Sequence, residues 1–249
     1  MLPRFYAPRL DADLIRLDGD EAHHLANVLR LAAGDEVALF DGRGAERRGR
    51  VEAVGRRDVQ VRVLDAVEPT AEPRVAITLA QAALKGDRMD AVVRDATMLG
   101  VVAVQPLVTR RTVVPAPAVT SERLRGRWHR IAIASAKQCR RAVVPEIRPA
   151  ARFDEWVAST PGAYLLVEPV AHGEATVRVY TTTIGELLER PAPEAATVVV
   201  GPEGGWDEAE LRVAARAGCV QLTLGARTMR ADAAPLVVLA VLRTVWRDF

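Results

Sequence analysis

The chain has few cysteines, no long apolar run and almost no excess charge. Cys139 and Cys219 lie far apart, and no cluster of His and Cys residues accompanies them. This argues against a disulfide framework and a zinc site. The longest late uncharged run, residues 233–242, is well short of the roughly 18 residues of a membrane span, and the N-terminus has no signal-peptide core. We therefore expect a cytoplasmic protein that uses neither a membrane nor a metal.

The formal net charge is only +2, but the basic residues are unevenly distributed. Between Arg110 and Arg152 there are eleven basic residues against two acidic ones, a block that attracts a polyanion. Within it, Ser121 caps a predicted helix whose cations recur with three-four spacing on one face: Arg123, Arg127, Arg130, Lys137 and Arg141. The pattern favours nucleic-acid binding. A solvated helix face is the alternative, because nearly every cation of the chain is an Arg.

A length of 249 residues allows one large domain or two smaller ones. Residues 1–70 contain short β-prone runs separated by Gly-containing turns, which indicates a small β-barrel domain. A Pro-containing linker follows. In residues 74–249, strand-like runs alternate with helical patterns at 88–99, 121–139, 207–217 and 233–246. This alternation predicts an α/β domain with a mainly parallel sheet.

The stretch "VVVGPEGGWDEAEL", residues 198–211, joins a predicted strand to a predicted helix. Ligands collect at the carboxyl ends of parallel strands, and glycines there let a ligand approach the main chain. The stretch matches neither a Walker A loop nor a dinucleotide fingerprint. Glu203 would repel phosphate but tolerates a cationic or hydroxyl-rich ligand. A tight turn without a ligand is the alternative for this loop alone.

A second glycine-containing loop, "LTLGARTMRADAAP", follows about twenty residues later and enters the last predicted helix. Leu224, Gly225 and Met229 would line a small apolar surface, while Arg230 would place a fork of donors near its mouth. Two such loops could hold one ligand between them.

Several motifs together resemble the RsmE family of 16S ribosomal RNA uridine N3-methyltransferases, members of the SPOUT class. These motifs are "HHLANVLRLAAGDEVALFDGRG", "ITLAQAALKGDRMD", "QPLVTRRTVV", "AKQCRRAVVPEI", "GPEGGW" and "LGARTMRADAA". The resemblance covers nearly the whole chain, and the occurrence of these motifs in the same order as in the family is more specific than any single motif.

The resemblance implies an N-terminal PUA-like β-barrel that helps to hold RNA and a C-terminal SPOUT domain with a trefoil knot. It also implies an S-adenosylmethionine pocket, a homodimer, and 16S rRNA or the small ribosomal subunit as substrate. The implied cofactor residues are Leu79, Val200, Gly201, Glu203, Gly205, Leu224, Gly225 and Met229. The RNA-binding candidates are Arg30, Arg43, Arg110, Arg111, Arg123, Arg127, Arg130 and Lys137.

The implied chemistry is methyl transfer to uracil N3, which needs alignment and stabilisation of charge on the uracil carbonyls. Arg230 is the first candidate for that stabilisation. Asp232 and Glu203 are candidate general bases, and an orienting role is the alternative for both.

Asp95, Met98, Asp232 and Pro235 depart from the family pattern, chiefly on the substrate side. Pro235 requires the last helix to begin close to Asp232. A catalytically silent RNA-binding or ribosome-assembly protein is therefore the alternative function.

Adjacent His23 and His24 point in different directions on a helix, so we expect one packed and one exposed rather than a metal pair.

Overall fold

The computed structural model describes residues 2–169 and 181–249 of the chain. They divide into two compact units, Met1–Glu72 with Ile133–Val144, and Pro73–Ala132 with Pro145–Phe249. The grouping of residues 133–144 with the N-terminal unit was not predicted, because residues 133–139 continue the helical pattern that begins at residue 121.

The N-terminal unit is built on a curled five-stranded sheet in the order β1-β3-β4-β5-β2. The β1–β3 pair is parallel, and the other pairs are antiparallel. The strands are β1 (Arg4–Tyr6), β2 (Leu14–Asp18), β3 (Glu36–Phe40), β4 (Glu46–Val54) and β5 (Asp58–Val67). Helix α1 (Gly19–His23) and a π-helical turn (His24–Val28) lie between β2 and β3.

Alternation of apolar and polar residues explains why one face of this sheet is buried. In β5, Val59 and Val61 are buried whereas Gln60 and Arg62 point outward, the period of two expected of a half-buried strand. Phe5, Leu25 and Leu39 belong to the same core. The β-rich N-terminal fold predicted from the sequence is therefore confirmed.

The C-terminal unit contains a parallel sheet in the order β11-β13-β10-β12-β6-β7-β8, with β9 also pairing with β7. Its strands are β6 (Ala76–Ala82), β7 (Ala103–Val108), β8 (Glu146–Ile147), β9 (Ala151–Arg152), β10 (Tyr164–Leu166), β11 (Thr181–Thr182), β12 (Ala195–Val200) and β13 (Val220–Leu222). This confirms the α/β prediction. Of the strand-like run 163–170, residue 170 lies outside the described part.

The remaining helices are α2 (Arg88–Met98), α3 (Ala116–Val119), α4 (Glu122–Cys139), α5 (Phe153–Val157), α6 (Ile184–Leu188), α7 (Glu208–Arg216) and α8 (Ala234–Val245). Ser121 caps α4 as predicted, because its hydroxyl accepts from the Leu124 N–H at 3.3 Å. Pro235 lies in the first turn of α8, as its missing N–H requires. No helix within residues 2–169 and 181–249 is long and apolar enough to cross a membrane.

Candidate functional site

A cavity of about 390 Å³ opens at the carboxyl ends of three neighbouring strands, β12, β10 and β13. Residues from the segments 166–169, 200–206 and 224–234 line it, together with Arg88. The volume is in the range of small-molecule sites, and the position is the one where parallel sheets bind ligands.

The cavity brings both predicted loops together. Eight of the predicted site residues line it: Val200, Gly201, Glu203, Gly205, Leu224, Met229, Arg230 and Asp232. Leu79 instead lies in the interior of β6, fully buried and paired with Val198 and Val104. Gly225 is exposed with a φ of +103° beside the lining residue Leu224, so it shapes the turn rather than the cavity surface.

The loop after β12 depends on two glycines. Gly205 has a φ of +68°, and its N–H closes the turn by donating to the Pro202 carbonyl at 3.0 Å. A Cβ at Gly201 would come within 3.1 Å of the Trp206 ring. That ring is fixed because its Nε1 donates to the Leu166 carbonyl at 2.8 Å. The absence of a Cβ at Gly201 therefore lets the Trp206 ring pack directly against the loop.

The start of α7 is unsuited to phosphate. Asp207 caps the helix by accepting from the Ala209 N–H at 2.9 Å. Buried Glu210 accepts from the Asp207 N–H at 3.0 Å and from the Arg110 N–H at 2.8 Å. Donors that could bind an anion are thus occupied by carboxylates. This agrees with the prediction that the loop serves a ligand other than a phosphate.

Glu203 is held at one side of the cavity by basic and main-chain donors. Its Oε1 accepts from Arg88 Nη1 and from the Lys85 N–H, each at 3.2 Å. This arrangement fixes the loop after β12 to the segment that follows β6. It supports the orienting alternative for Glu203 more than a role as general base.

Arg230 and Asp232 form a side-on ion pair at the cavity. Arg230 Nε donates to Oδ1 at 3.0 Å and Nη2 donates to Oδ2 at 2.8 Å. The hydrogen bond from Arg230 lowers the pKa of Asp232, which makes that carboxylate a weak base. The pair leaves the Arg230 side chain 72% exposed and orients the plane of its guanidinium, so donors remain for a substrate.

Arg110 and Arg111 lie close to the loop after β12. Arg111 Nη1 donates to the Gly204 carbonyl at 2.9 Å, and its Nη2 lies 4.0 Å from Asp207. Both side chains remain about half exposed. These two RNA-binding candidates therefore belong to the surroundings of the cavity.

Arg30 and Arg43 belong to the N-terminal unit. Arg30 is exposed and has a φ of +55° at the end of the π-helical turn. Arg43 Nη2 donates to the Pro8 carbonyl at 2.8 Å, and its side chain stays 70% exposed.

The basic stripe on α4 is shorter than predicted. Arg123, Arg127 and Arg130 are exposed, and Arg127 forms an ion pair with Asp90. Lys137 is only 13% exposed, and its Nζ lies 2.9 Å from a Glu21 oxygen and 3.2 Å from His24 Nδ1. Arg141 is buried beyond the helix end and pairs with Glu72. Helical spacing correctly placed the first three on one surface but could not reveal that the N-terminal unit covers the last two.

Sequence reasoning missed Arg88, Trp206 and Glu168 as lining residues. The sequence feature that could have identified Glu168 is an acidic residue two positions beyond the end of β10. Its significance depends on β10 lying between β12 and β13, although β11 separates β10 from β12 in the chain.

The paired histidines behave as predicted. His23 is exposed, whereas His24 is half-buried with its ring 5.8 Å from that of Phe5. Burial and the neighbouring Lys137 ammonium lower the pKa of His24. The described residues contain no group of three or more His, Cys, Asp or Glu side chains that could hold a metal ion.

Comparison with known proteins agrees with this architecture. The profile of an RNA methyltransferase domain matches residues 71–243, and that of an RNA methyltransferase PUA domain matches residues 17–64. The ribosomal RNA small subunit methyltransferase E of Mycobacterium tuberculosis is 32% identical, over 92% of this chain and 87% of its own length.

Two solved structures share the fold over nearly the whole chain. A putative methyltransferase from Legionella pneumophila with bound S-adenosylmethionine has a TM-score of 0.87 and 28% identity, covering 98% of each chain. The small subunit methyltransferase E of Neisseria gonorrhoeae, bound to S-adenosylmethionine, has a TM-score of 0.83 and 30% identity, covering 99% of this chain and 98% of its own.

A PUA domain followed by a parallel-sheet domain with a cavity at its strand ends defines an RNA methyltransferase. Within this class, the chain belongs to the ribosomal RNA small subunit methyltransferase E family.

Proposed function

We propose that this protein transfers a methyl group from S-adenosylmethionine to N3 of a uridine in 16S ribosomal RNA. The observation that carries the proposal is the convergence of the two predicted loops on one cavity, with Arg230 at its surface. The names of the M. tuberculosis and N. gonorrhoeae relatives support methylation of small-subunit ribosomal RNA, and the second of them is bound to S-adenosylmethionine.

The lining residues fit S-adenosylmethionine. Gly201 and Gly205 have no Cβ, which lets Trp206 and Glu168 pack closely against the loop, and all four residues line the cavity. Leu224 and Met229 provide an apolar surface on the opposite loop, and the carboxylates tolerate a cation. The cofactor supplies a methyl group that is already activated by the positive sulfur, so this transfer does not call for a metal.

The proposed catalytic role of Arg230 is to hold the uracil carbonyls and stabilise the charge that develops on them. Asp232 fixes the plane of the guanidinium through the two hydrogen bonds of their ion pair. Both Asp232 and Glu203 are paired with arginines, so we assign them orienting roles. The N3 proton would then pass to solvent water, and the positive field of Arg230 would favour the uracil anion that this loss leaves.

RNA would be held by the exposed arginines. Arg110 and Arg111 adjoin the cavity loop, and Arg123, Arg127 and Arg130 extend the positive charge along α4. In the N-terminal PUA domain, Arg30 and Arg43 are the candidates for contacts with phosphates.

A homodimer, a cytoplasmic location and a knotted C-terminal chain remain predictions from the family resemblance. The apolar pattern of α8 does not itself argue for a dimer, because Val238, Leu239 and Leu242 are buried within one chain. Light scattering of the purified protein would establish the oligomeric state, with twice the chain mass of 27.0 kDa as the predicted result.

The proposal is tested by incubating the protein with methyl-labelled S-adenosylmethionine and either small ribosomal subunits or naked 16S rRNA. Digestion to nucleosides and mass spectrometry should yield labelled 3-methyluridine from one of the two substrates. Cofactor binding without any labelled nucleoside would favour the silent RNA-binding protein. A different labelled nucleoside would refute the assignment of uracil N3.

A further inference from the structure

Glu168 occupies a distinctive place in the cavity. It lies two residues beyond the end of β10, the strand between β12 and β13, and therefore between the two loops that line the site. The loop after β12 comes very close to it. A Cβ at Gly205 would lie 3.1 Å from Glu168 Oε1, which places this carboxylate directly against the bare backbone.

The other carboxylates that line the cavity are already paired. Glu203 is bound to Arg88, and Asp232 is bound to Arg230. Within residues 2–169 and 181–249, Glu168 forms neither a hydrogen bond nor an ion pair. The nearest loop N–H, that of Gly205, donates to Pro202. No described residue therefore uses the acceptor capacity of Glu168, which can serve a ligand.

The position of Glu168 relative to the glycine loop indicates which donors it would meet. In the Rossmann fold, an acidic residue of the parallel sheet accepts a hydrogen bond from a ribose hydroxyl of the bound dinucleotide, and Glu168 offers the same acceptor chemistry on a different sheet. Here β10 is adjacent to β12, and the Glu168 carboxylate lies 3.1 Å from the place where a Cβ of Gly205 would be. A vicinal diol offers two donors to the two oxygens of one carboxylate.

We propose that Glu168 binds the ribose hydroxyls of the cofactor and thereby selects a ribonucleoside ligand. This inference rests on the proposed use of S-adenosylmethionine. It makes Glu168 a cofactor-binding residue that acts equally on the substrate and product forms of the cofactor, because both carry the same ribose.

The test is calorimetric binding of S-adenosylhomocysteine and its 2′-deoxy and 3′-deoxy analogues to wild type, Glu168→Ala and Glu168→Gln. In wild type, removal of at least one hydroxyl should weaken binding about tenfold or more, since a hydrogen bond to a charged group contributes roughly 1.5–3 kcal/mol. Glu168→Ala should weaken binding of the parent ligand by a similar factor. Glu168→Gln, which keeps one acceptor oxygen, should lie between the two.

The decisive quantity is the coupling between the two changes. In Glu168→Ala the deoxy and parent ligands should bind within about twofold of each other, because the carboxylate that distinguished them is gone. If removing the hydroxyl weakened binding to Glu168→Ala as much as it weakens binding to wild type, the two losses would be independent and the inference would be overturned. So would a variant that loses affinity for S-adenosylmethionine but not for S-adenosylhomocysteine, because that pattern indicates contact with the sulfonium charge.

Two controls separate the possible failures. Glu155→Ala removes an exposed carboxylate outside the cavity lining and should leave every affinity unchanged. If wild type itself failed to bind S-adenosylhomocysteine, the proposed function would be at fault. If wild type bound it and Glu168→Ala bound it equally well, only the role of Glu168 would be wrong.

Discussion

At the scale of single residues, the geometry of Arg230 leads to the sharpest prediction. Arg230→Lys should leave cofactor affinity nearly intact but slow methyl transfer by about 10²-fold, the scale for losing a positioned transition-state donor. Lys keeps the charge, but a single ammonium cannot bind Asp232 side-on and also hold a carbonyl in one plane. Single-turnover methylation at saturating cofactor separates the chemical step from binding.

The control for this variant is Asp232→Asn, which keeps a side-chain oxygen near Arg230 but removes the charge. It should slow the reaction less than Arg230→Lys if Asp232 only orients the guanidinium. A rate for Arg230→Lys within about threefold of wild type would remove Arg230 from the catalytic assignment. The search would then move to Arg110 and Arg111, which adjoin the same loop.

Gly205 tests the assignment of the cofactor loop. Gly205→Val should weaken binding of S-adenosylmethionine at least tenfold without unfolding the protein. Any side chain there meets Glu168, and a φ of +68° is strained for a branched residue. Gly218→Val is a matched control, because Gly218 also has positive φ, at +77°, but lies outside the cavity lining. Calorimetry with circular dichroism distinguishes lost binding from unfolding, and unchanged affinity in a folded variant would refute the assignment.

At the scale of elements, the exposed part of α4 should contribute to RNA affinity through phosphate contacts. Replacing Arg123 and Arg130 by Gln should weaken RNA binding and reduce the salt slope by about two units, roughly one for each contact. Arg127 should contribute less, because Asp90 already neutralises it. Filter binding across a salt series measures the slope.

A matched control removes the same charge elsewhere. Arg190 and Arg216 are exposed arginines outside α4, and their double replacement by Gln should leave the slope close to wild type. Equal slopes for the two double variants would mean that α4 is an ordinary solvated face.

The elements also explain how much could be read from the sequence. Helix α7 and its cap at Asp207 follow from local signals, and both cavity loops follow strand ends marked by glycine. Leu79 lies in the middle of β6 and does not line the cavity, whereas both cavity loops lie beyond strand ends. Lys137 was read as exposed because helical spacing does not reveal Glu21, which is 116 residues away in the chain. Contacts between residues that are distant in the chain, and the order of the strands in the sheet, could be established only from the structure.

At the scale of the whole molecule, the C-terminal residues anchor the methyltransferase unit. Arg243 is buried, pairs with Asp248 at 2.6 Å, and donates to the carbonyls of Val75 and Gly100 at 2.8 and 2.7 Å. Asp248 in turn accepts from the N–H groups of Arg74 and Val75 at 2.7 and 2.9 Å. Hydrogen bonds of Arg243 and Asp248 thus hold the C-terminal residues against the segment that precedes β6.

Removing the buried charge of Asp248 should lower the free energy of unfolding. Asp248→Asn should lower the free energy of unfolding by about 3 kcal/mol, because Arg243 loses its carboxylate in a buried setting. Asp95→Asn, which breaks an exposed pair with Arg94, should lower it by less than about 1 kcal/mol. Urea unfolding followed by circular dichroism gives both values, and equal losses would contradict the anchoring role of Asp248.

The effect of Asp248 should depend on pH in a defined direction. Burial acts to raise the pKa of Asp248, but hydrogen bonds from Val75, Arg74 and Arg243 outweigh it and hold the pKa below its ordinary value. A lowered pKa stabilises the fold above the unfolded-state value and loses that contribution as the pH falls through the folded-state value. The difference between wild type and Asp248→Asn should therefore be constant from about pH 5 to 8 and shrink below about pH 4.

The central claim, that this protein methylates uridine N3 in 16S rRNA, is tested most directly by mapping 3-methyluridine in cells. Ribosomal RNA from cells with the protein, without it, and with the Arg230→Lys variant would be digested and sequenced by mass spectrometry. We expect one 16S position that carries 3-methyluridine with the protein, is unmodified without it, and is strongly depleted with the variant. An identical 3-methyluridine content in the presence and absence of the protein would contradict it.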